Sequence, residues 1–213
     1  MFESLPALTL LEARILGTLI EKQRTVPDTY PLSVNALLAG CNQKTSRNPV
    51  IETSEAEILG ALETLRENGL VREVSGSRVS RFEHLFDKRL GVPTQASALL
   101  AVLMLRGPQT AGELRLNCER LHRFADISAV EGFLQELANR PAGALVVEMP
   151  RQPGARENRW THLLSGRPEL EDGAPGNRSQ ASANPAIEAL EARVAALEAE
   201  LAELRHRFVK SAS

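Results

Sequence analysis

The stretch from Ser54 to His84 constrains the fold more than any other part of the chain. Ser54, followed three residues later by Glu57, is the pattern of a capping box, in which side chains accept hydrogen bonds from amides at a helix start. Apolar residues then recur at helical spacing up to Gly69, a residue that often ends helices because it tolerates the left-handed conformation. Two short β-rich segments around Ser75-Gly76-Ser77 follow and predict a hairpin. A capped helix followed by a hairpin is typical of the second half of a winged helix-turn-helix domain.

The residues before this stretch supply the two other helices that such a domain requires. Thr9 begins the first helix, whose apolar residues repeat at three- and four-residue steps. Pro27 and Pro31 interrupt the chain after it, since proline cannot continue a helix. Ser33 caps a second helix, and the polar connection at residues 43–49 leads to the third.

The same order of patterns returns from Gly91 onward. An apolar helix ends before Gly107-Pro108, and Thr110 then caps a second helix. Ser128 and Glu131 have the spacing of another capping box, so we expect the third helix of this half to begin there. Two β-rich segments separated by a long loop complete the copy.

These patterns predict a fold that is mainly α with short β-hairpins, of the α+β class. Two tandem winged helix-turn-helix domains are expected at residues 1–90 and 91–166. A segment rich in Gly, Pro and Ser at residues 167–184 predicts a flexible linker. Residues 185–210 predict a coiled-coil helix, because apolar residues alternate three and four steps apart between 187 and 208. This heptad seam would join two copies as a homodimer; alternatively, the helix packs on its own chain or stays solvated, since an isolated helix of this length is marginal.

The chain lacks the sequence features of a membrane, secreted or disulfide-rich protein. Its longest apolar run, Ala98 to Leu105, is far shorter than the ~20 residues that span a bilayer. The N-terminus has no basic region before an apolar one, as a secretory signal would. The 2 cysteines are too few for a disulfide framework or a zinc site on their own. We therefore expect a cytoplasmic protein that makes no membrane contact.

Catalytic and cofactor motifs are also missing from the sequence. We find no phosphate-binding glycine loop, nucleophile elbow or zinc-protease motif. Glu83 and His84 would form an acid–base pair and Cys41 a nucleophile, but a cysteine on an apolar helix face is usually a core residue. We expect no catalytic residue, no metal site and no cofactor, and therefore a protein that is not an enzyme.

Three segments of the first half carry a resemblance to a known family. They are Tyr30-Pro31-Leu32-Ser33-Val34-Asn35-Ala36-Leu37, the stretch Cys41 to Val50, and the hairpin residues Phe82-Glu83-His84. With these segments, the chain resembles the YceH family of uncharacterised bacterial proteins over roughly Leu8 to Gly166. The resemblance implies two winged-helix units. It supplies no substrate, partner or catalytic residue.

The candidate binding residues lie in the polar connection and on the two hairpins. The third helices instead expose several carboxylates, which would oppose binding to phosphate. Basic residues of the connection and the hairpins would hold backbone phosphates without reading bases; alternatively, they tie the loop down and cap the neighbouring helices, or are solvated surface. The candidates are Asn42, Gln43, Lys44, Arg47, Arg78, Arg81, His84, Arg151, Arg156 and Arg159.

Two functions are compatible with these patterns. The first is a DNA-associated regulator that binds double-stranded DNA as a dimer, through its wings and the loop of Lys44 and Arg47. The second is a protein-docking or scaffold module with no nucleic-acid binding. The net charge of −2 does not favour DNA, since DNA-binding domains are usually basic. DNA binding is nevertheless the commonest use of this architecture, so it is the first expectation.

Overall fold

The computed structural model describes residues 6–74, 79–152, 154–167 and 193 of the chain. The predicted linker and coiled-coil helix, apart from residues 167 and 193, lie outside the described residues. So does the predicted turn of the first hairpin. The heptad seam and the homodimer it would form therefore stay predictions.

The first half of the described chain is a set of helices around a small antiparallel sheet. Its elements are α1 (Leu10–Thr25), a 3₁₀ turn (Pro27–Thr29), β1 (Leu32–Ser33), α2 (Val34–Cys41), α3 (Glu55–Glu67), β2 (Val71–Val74), β3 (Arg81–His84) and α4 (Phe86–Leu90).

The second half repeats the order of three helices and a hairpin. Its elements are α5 (Thr94–Arg106), α6 (Ala111–Asn117), α7 (Ile127–Ala138), β4 (Val146–Glu148) and β5 (Trp160–His162). The predicted α+β class, mainly α with short hairpins, is confirmed. This order agrees with two winged-helix units, but the assignment of either half to that fold stays a prediction.

Four of the predicted helix starts are confirmed by the hydrogen bonds of their caps. Ser54 and Glu57 form the expected capping box at α3. Thr9 and Thr110 also cap α1 and α6, each within a capping box. Ser33 caps α2 by accepting a hydrogen bond from the amide of Ala36. Each cap satisfies an amide that the helix itself leaves without a partner.

The predicted capping box of Ser128 and Glu131 is wrong. The N-cap of α7 is Asp126, whose carboxylate accepts a hydrogen bond from the amide of Ala129 at 2.8 Å. Aspartate caps helices as well as serine does. Because Asp126 adopts an extended backbone directly before Ile127, the helix begins earlier, and Ser128 lies inside its first turn.

The two small sheets are both antiparallel. In the first sheet the strand order is β1-β3-β2, with Leu32 opposite Phe82 and Val71 opposite His84. The second sheet pairs β4 with β5, with Val147 opposite Thr161. Since side chains alternate across a strand, the first register places Phe82 and His84 on the same, buried face.

The buried residues of the two halves form one continuous hydrophobic cluster. Helices α1 and α5 lie at its centre and pack so closely that a Cβ atom at Gly17 would be 2.8 Å from Cγ of Leu105. The amide of Leu8 also donates to the carbonyl of Leu164 at 2.8 Å, which joins the start of the described chain to its second half. The predicted boundary near residue 90 thus separates the two sets of elements but not the core, and the division into two domains stays a prediction.

Among the described helices, we find none that is both long enough and apolar enough to cross a membrane.

Candidate functional site

The polar connection between α2 and α3 is closed by Asn42. The side-chain amide of Asn42 donates to the carbonyl of Thr53 at 2.9 Å, and its oxygen accepts from the amide of Thr53 at 2.9 Å. This pair of bonds brings the two ends of the connection together. In this structure the Asn42 side chain is therefore used to hold the loop.

Arg47 lies inside the protein rather than on the loop surface. Its guanidinium makes an ion pair with Glu21 of α1, at 2.6 Å, and its side chain has an exposed fraction of 0%. It also donates to the carbonyl of Gly40 at 3.1 Å and to the side chain of Gln43 at 2.7 Å. Burial raises the pKa of Glu21, but the hydrogen bond and charge of Arg47 outweigh this and hold that pKa below its ordinary value. Arg47 and Gln43 thus fix the loop against α1.

A second buried arginine, Arg14 of α1, supports the same loop. Its guanidinium donates to the carbonyl of Cys41 at 3.3 Å and to that of Pro49 at 2.5 Å. Burial, and then the nearby charge of Arg47, lower the pKa of Arg14. Arg14 could not be singled out from the sequence, because an arginine between apolar positions of an amphipathic helix is indistinguishable from a solvent-facing one.

The loop contacts the second half through residues that follow Lys44. The amide of Asn48 donates to the carbonyl of Leu105 at 2.8 Å, and Arg106 donates to the hydroxyl of Ser46 at 2.7 Å. A polar cavity of about 290 Å³ lies beside these contacts and is also lined by Arg159. Lys44 itself is exposed.

The basic residues of the first hairpin are also bonded within the chain. The guanidinium of Arg81 donates to the carbonyl of Pro31 at 2.8 Å and to that of Thr29 at 3.2 Å. Arg72 makes an ion pair with Glu83 across the strands. Arg78 lies outside the described residues.

His84 faces the interior from β3. Its amide donates to the hydroxyl of Tyr30 at 2.8 Å, and its ring Nε2 lies 2.9 Å from the side-chain oxygen of Gln23. Burial lowers the pKa of His84 and raises that of Tyr30. Because Glu83 points to the opposite face and pairs with Arg72, Glu83 and His84 do not form the acid–base pair that the sequence allows.

The second hairpin carries one paired arginine and two exposed ones. Arg159 makes an ion pair with Glu113 of α6 at 3.0 Å and donates to the carbonyl of Pro108 at 2.7 Å. Arg151 and Arg156 are exposed. They form no ion pair with a described residue.

The two cysteines are core residues. Cys41 and Cys118 are buried, and burial raises the pKa of their thiols to about 11 and about 12. Both thiols are therefore protonated at neutral pH, which makes them poor nucleophiles. Within the described ranges, His, Cys, Asp and Glu side chains do not gather into a group of three that could hold a metal ion.

The outward face of α3 combines exposed apolar and acidic residues. Leu59 is 47% exposed, and Ala56 and Gly60 beside it are exposed as well. Glu55 and Glu63, four residues before and after Leu59, are exposed on the same side of the helix. Arg66, one turn beyond Glu63 on this side, is also exposed but pairs with Glu73 at 3.4 Å. The surface therefore keeps an excess of negative charge around a small apolar centre.

The comparisons with known proteins agree with one another. The family model described as "Protein of unknown function, DUF480" matches residues 8–155. A UPF0502 protein of Dechloromonas aromatica (strain RCB) is 78% identical over 205 residues, which cover 96% of each chain. A UPF0502 protein of Burkholderia thailandensis is 60% identical over 200 residues, covering 93% of this chain and 85% of the relative. A third UPF0502 protein, from Albidiferax ferrireducens, is 56% identical over 208 residues, covering 96% and 90% of the two chains.

Proposed function

This chain belongs to the DUF480 (UPF0502) family of bacterial proteins, which includes the YceH proteins it resembles, and we propose that it is a protein-docking module. Its partner would be a basic, amphipathic segment of another protein. The outward face of α3 would be the surface that binds this segment.

Two of the arginines that could bind phosphate are already neutralised by carboxylates of the chain itself, and this observation carries the proposal. Arg47 is paired with Glu21, and Arg159 is paired with Glu113. A protein binds DNA largely by neutralising phosphates with free lysines and arginines. Cations that already have carboxylate partners gain less from a phosphate, and Arg47 is not accessible to one. These paired arginines therefore give little support to DNA binding.

The α3 surface supports docking by its chemistry. Ala56 and Gly60 leave room beside Leu59 for the side chains of a helix laid across the surface, and an apolar contact framed by charges is a common arrangement for such helices. Glu55 and Glu63 would attract lysine or arginine residues on both sides of that contact. A basic amphipathic segment satisfies both requirements.

Site-specific crosslinking tests this proposal. A photoreactive amino acid placed at Leu59 should capture a protein in cells, and the same group at Leu116, which is 69% exposed on α6, should not. The captured protein, once purified, should bind the wild-type chain at least about tenfold more tightly than it binds Glu63→Lys, because one like-charge contact replaces an attractive one. Glu119→Lys, on an exposed residue outside α3, is the matched control and should bind as the wild type does. Equal binding by the wild type and Glu63→Lys would refute the α3 surface.

A DNA-associated role is the second candidate, favoured by the exposed cations Lys44, Arg151 and Arg156. Fluorescence anisotropy with mixed-sequence duplex DNA at low salt tests it. This candidate predicts DNA binding that decreases steeply with added salt. It also predicts that the triple variant Lys44→Gln/Arg151→Gln/Arg156→Gln loses this binding. Both results together would support it against docking alone. The absence of any binding at low salt would exclude it.

The proposal also includes a non-catalytic role, a cytoplasmic location and a homodimer formed through residues 187–208. Sedimentation equilibrium of the full chain tests the last of these. A concentration-dependent dimer that is lost on substitution of Leu197 and Leu201 by Lys would support pairing through the heptad seam.

A further inference from the structure

A cavity of about 400 Å³ lies where five segments of the chain meet. These segments are residues 6–8, Leu70, helix α4, residues 140–145 and residues 163–166. Much of its lining is apolar: Leu8, Leu70, Phe86, Leu90, Leu145 and Leu164. Its volume is within the range of natural small-molecule sites.

Two arginines also line this cavity, and among the described residues no carboxylate does. Nε of Arg89 donates to the carbonyl of Asn68 at 3.1 Å, and Arg140 donates to the carbonyl of Leu90. Both side chains belong to half-buried residues. Neither makes an ion pair with another described residue.

The cavity therefore combines an apolar wall with two cations that have no counter-ion in the described part of the chain, and this combination specifies the class of ligand. A partly desolvated guanidinium is stabilised by an anion, and its planar fork of N–H groups matches the two oxygens of a carboxylate. The apolar wall requires a ligand whose remaining atoms are hydrocarbon. A phosphate ester fits less well, because its second negative charge would be more costly to remove from water.

We propose that this cavity binds a medium-chain fatty acid, with the carboxylate at Arg89 and Arg140 and the hydrocarbon chain against the leucines and Phe86. The ligand would then touch both halves of the described chain at once. Its binding is independent of the docking function proposed above, since none of the lining residues belongs to the α3 surface.

Titration calorimetry of the full chain with sodium octanoate tests the charge recognition. We expect saturable binding at one site, and at least about tenfold weaker binding of 1-octanol, because charge-assisted hydrogen bonds are the stronger class. Arg140→Gln should weaken octanoate binding by a similar factor and change octanol binding by less than about twofold. Arg120→Gln, an exposed arginine in the connection between α6 and α7, is the matched control and should bind octanoate as the wild type does.

A second variant tests the position of the ligand without changing a charge. Ala142 is exposed at the rim of the cavity, so Ala142→Phe should block the cavity entrance and leave the fold unchanged. We expect it to lose the binding of both octanoate and octanol while its thermal unfolding without ligand stays that of the wild type. Arg89→Gln provides the same charge test should Arg140→Gln unfold.

Three results would overturn the proposal. The first is the absence of saturable octanoate binding below the concentration at which octanoate forms micelles. The second is octanol binding as tightly as octanoate, which would remove the role of the arginines. The third is octanoate binding of wild-type strength by a folded Ala142→Phe variant, which would place the ligand elsewhere.

Discussion

Nη2 of Arg47 lies 2.6 Å from Oε2 of Glu21. This ion pair holds the connection between α2 and α3 against helix α1. The guanidinium is fully buried and the carboxylate partly buried, with side-chain exposed fractions of 0% and 16%. Removing two charges from water is costly, and their attraction together with added hydrogen bonds offsets that cost. The Arg47 guanidinium donates those bonds to the carbonyls of Gly40 and Ser46 and to the side-chain oxygen of Gln43.

Replacement of Arg47 by methionine is expected to reduce the free energy of unfolding by about 2 kcal/mol, because the half-buried Glu21 carboxylate loses its hydrogen-bonded partner and, among the described residues, keeps only Lys22, at 3.5 Å. Urea denaturation monitored by circular dichroism measures the change. Lys44→Met is the matched control on the same loop, and since Lys44 is exposed its effect should stay within about 0.5 kcal/mol. Equal effects of the two substitutions would show that Arg47 is not a structural ion-pair partner.

The helix starts were predictable from sequence because a cap depends on residues only three positions apart. Ser54 and Glu57 contain all the groups that form the capping box of α3. The error at α7 has the same local origin. Asp126 and Ser128 were both suitable caps, and the backbone conformation of Asp126 decided between them.

The positions of the charged candidates were not predictable, since they depend on contacts between distant parts of the chain. Arg47 meets Glu21 only because the loop folds onto α1, and Arg159 meets Glu113 only because the neighbouring Trp160 pairs with Gln109, just before α6. His84 faces inward because of the register of β3 against β2. A sequence pattern assigns charged residues to the surface and gives no sign of such pairings.

The N-cap of α7 gives a second prediction. Asp126→Ala should reduce the free energy of unfolding by about 1 kcal/mol, because the amide of Ala129 loses its side-chain acceptor. Ser128→Ala should change it by less than about 0.5 kcal/mol, since Ser128 is exposed within the first turn. Chemical denaturation of both variants decides the matter. A larger loss from Ser128→Ala would restore the capping box that the sequence suggested.

The packing of α1 on α5 gives a third prediction, in which the same substitution has opposite signs at two helical glycines. At Gly17 a new Cβ would lie 2.8 Å from Cγ of Leu105 and 3.3 Å from the carbonyl oxygen of Ala101, so Gly17→Ala should destabilise the protein by about 1–3 kcal/mol. At Gly60 of α3 a new Cβ meets no atom within 4 Å, so Gly60→Ala should stabilise it by about 0.5–1 kcal/mol through helix propensity alone. Thermal unfolding of both variants measures this, and stabilisation by Gly17→Ala would contradict the close contact of the two helices.

His162 of β5 gives a prediction for the pH dependence of stability. Burial lowers the pKa of His162 to about 4 from an ordinary value of 6.5, because charging the ring would place a cation in an apolar environment. Between these two pH values the unfolded chain binds a proton that the folded chain does not, so the stability of the folded state decreases as the pH falls from 6.5 to 4. The loss from this residue should be about 3 kcal/mol, and little more should follow below pH 4, where both states are protonated.

The variant His162→Gln separates this contribution from those of other groups. Urea denaturation at several pH values measures its free energy of unfolding. Between pH 6.5 and 4 this free energy should depend less on pH than that of the wild type. Above pH 7 the pH dependence of the two proteins should be the same, because the ring is neutral in both the folded and the unfolded state there. An NMR titration of the His162 ring in the folded protein gives the pKa directly. A ring that titrates near 6.5, or a variant whose pH dependence equals that of the wild type, would show that water reaches His162 and that burial does not set its protonation.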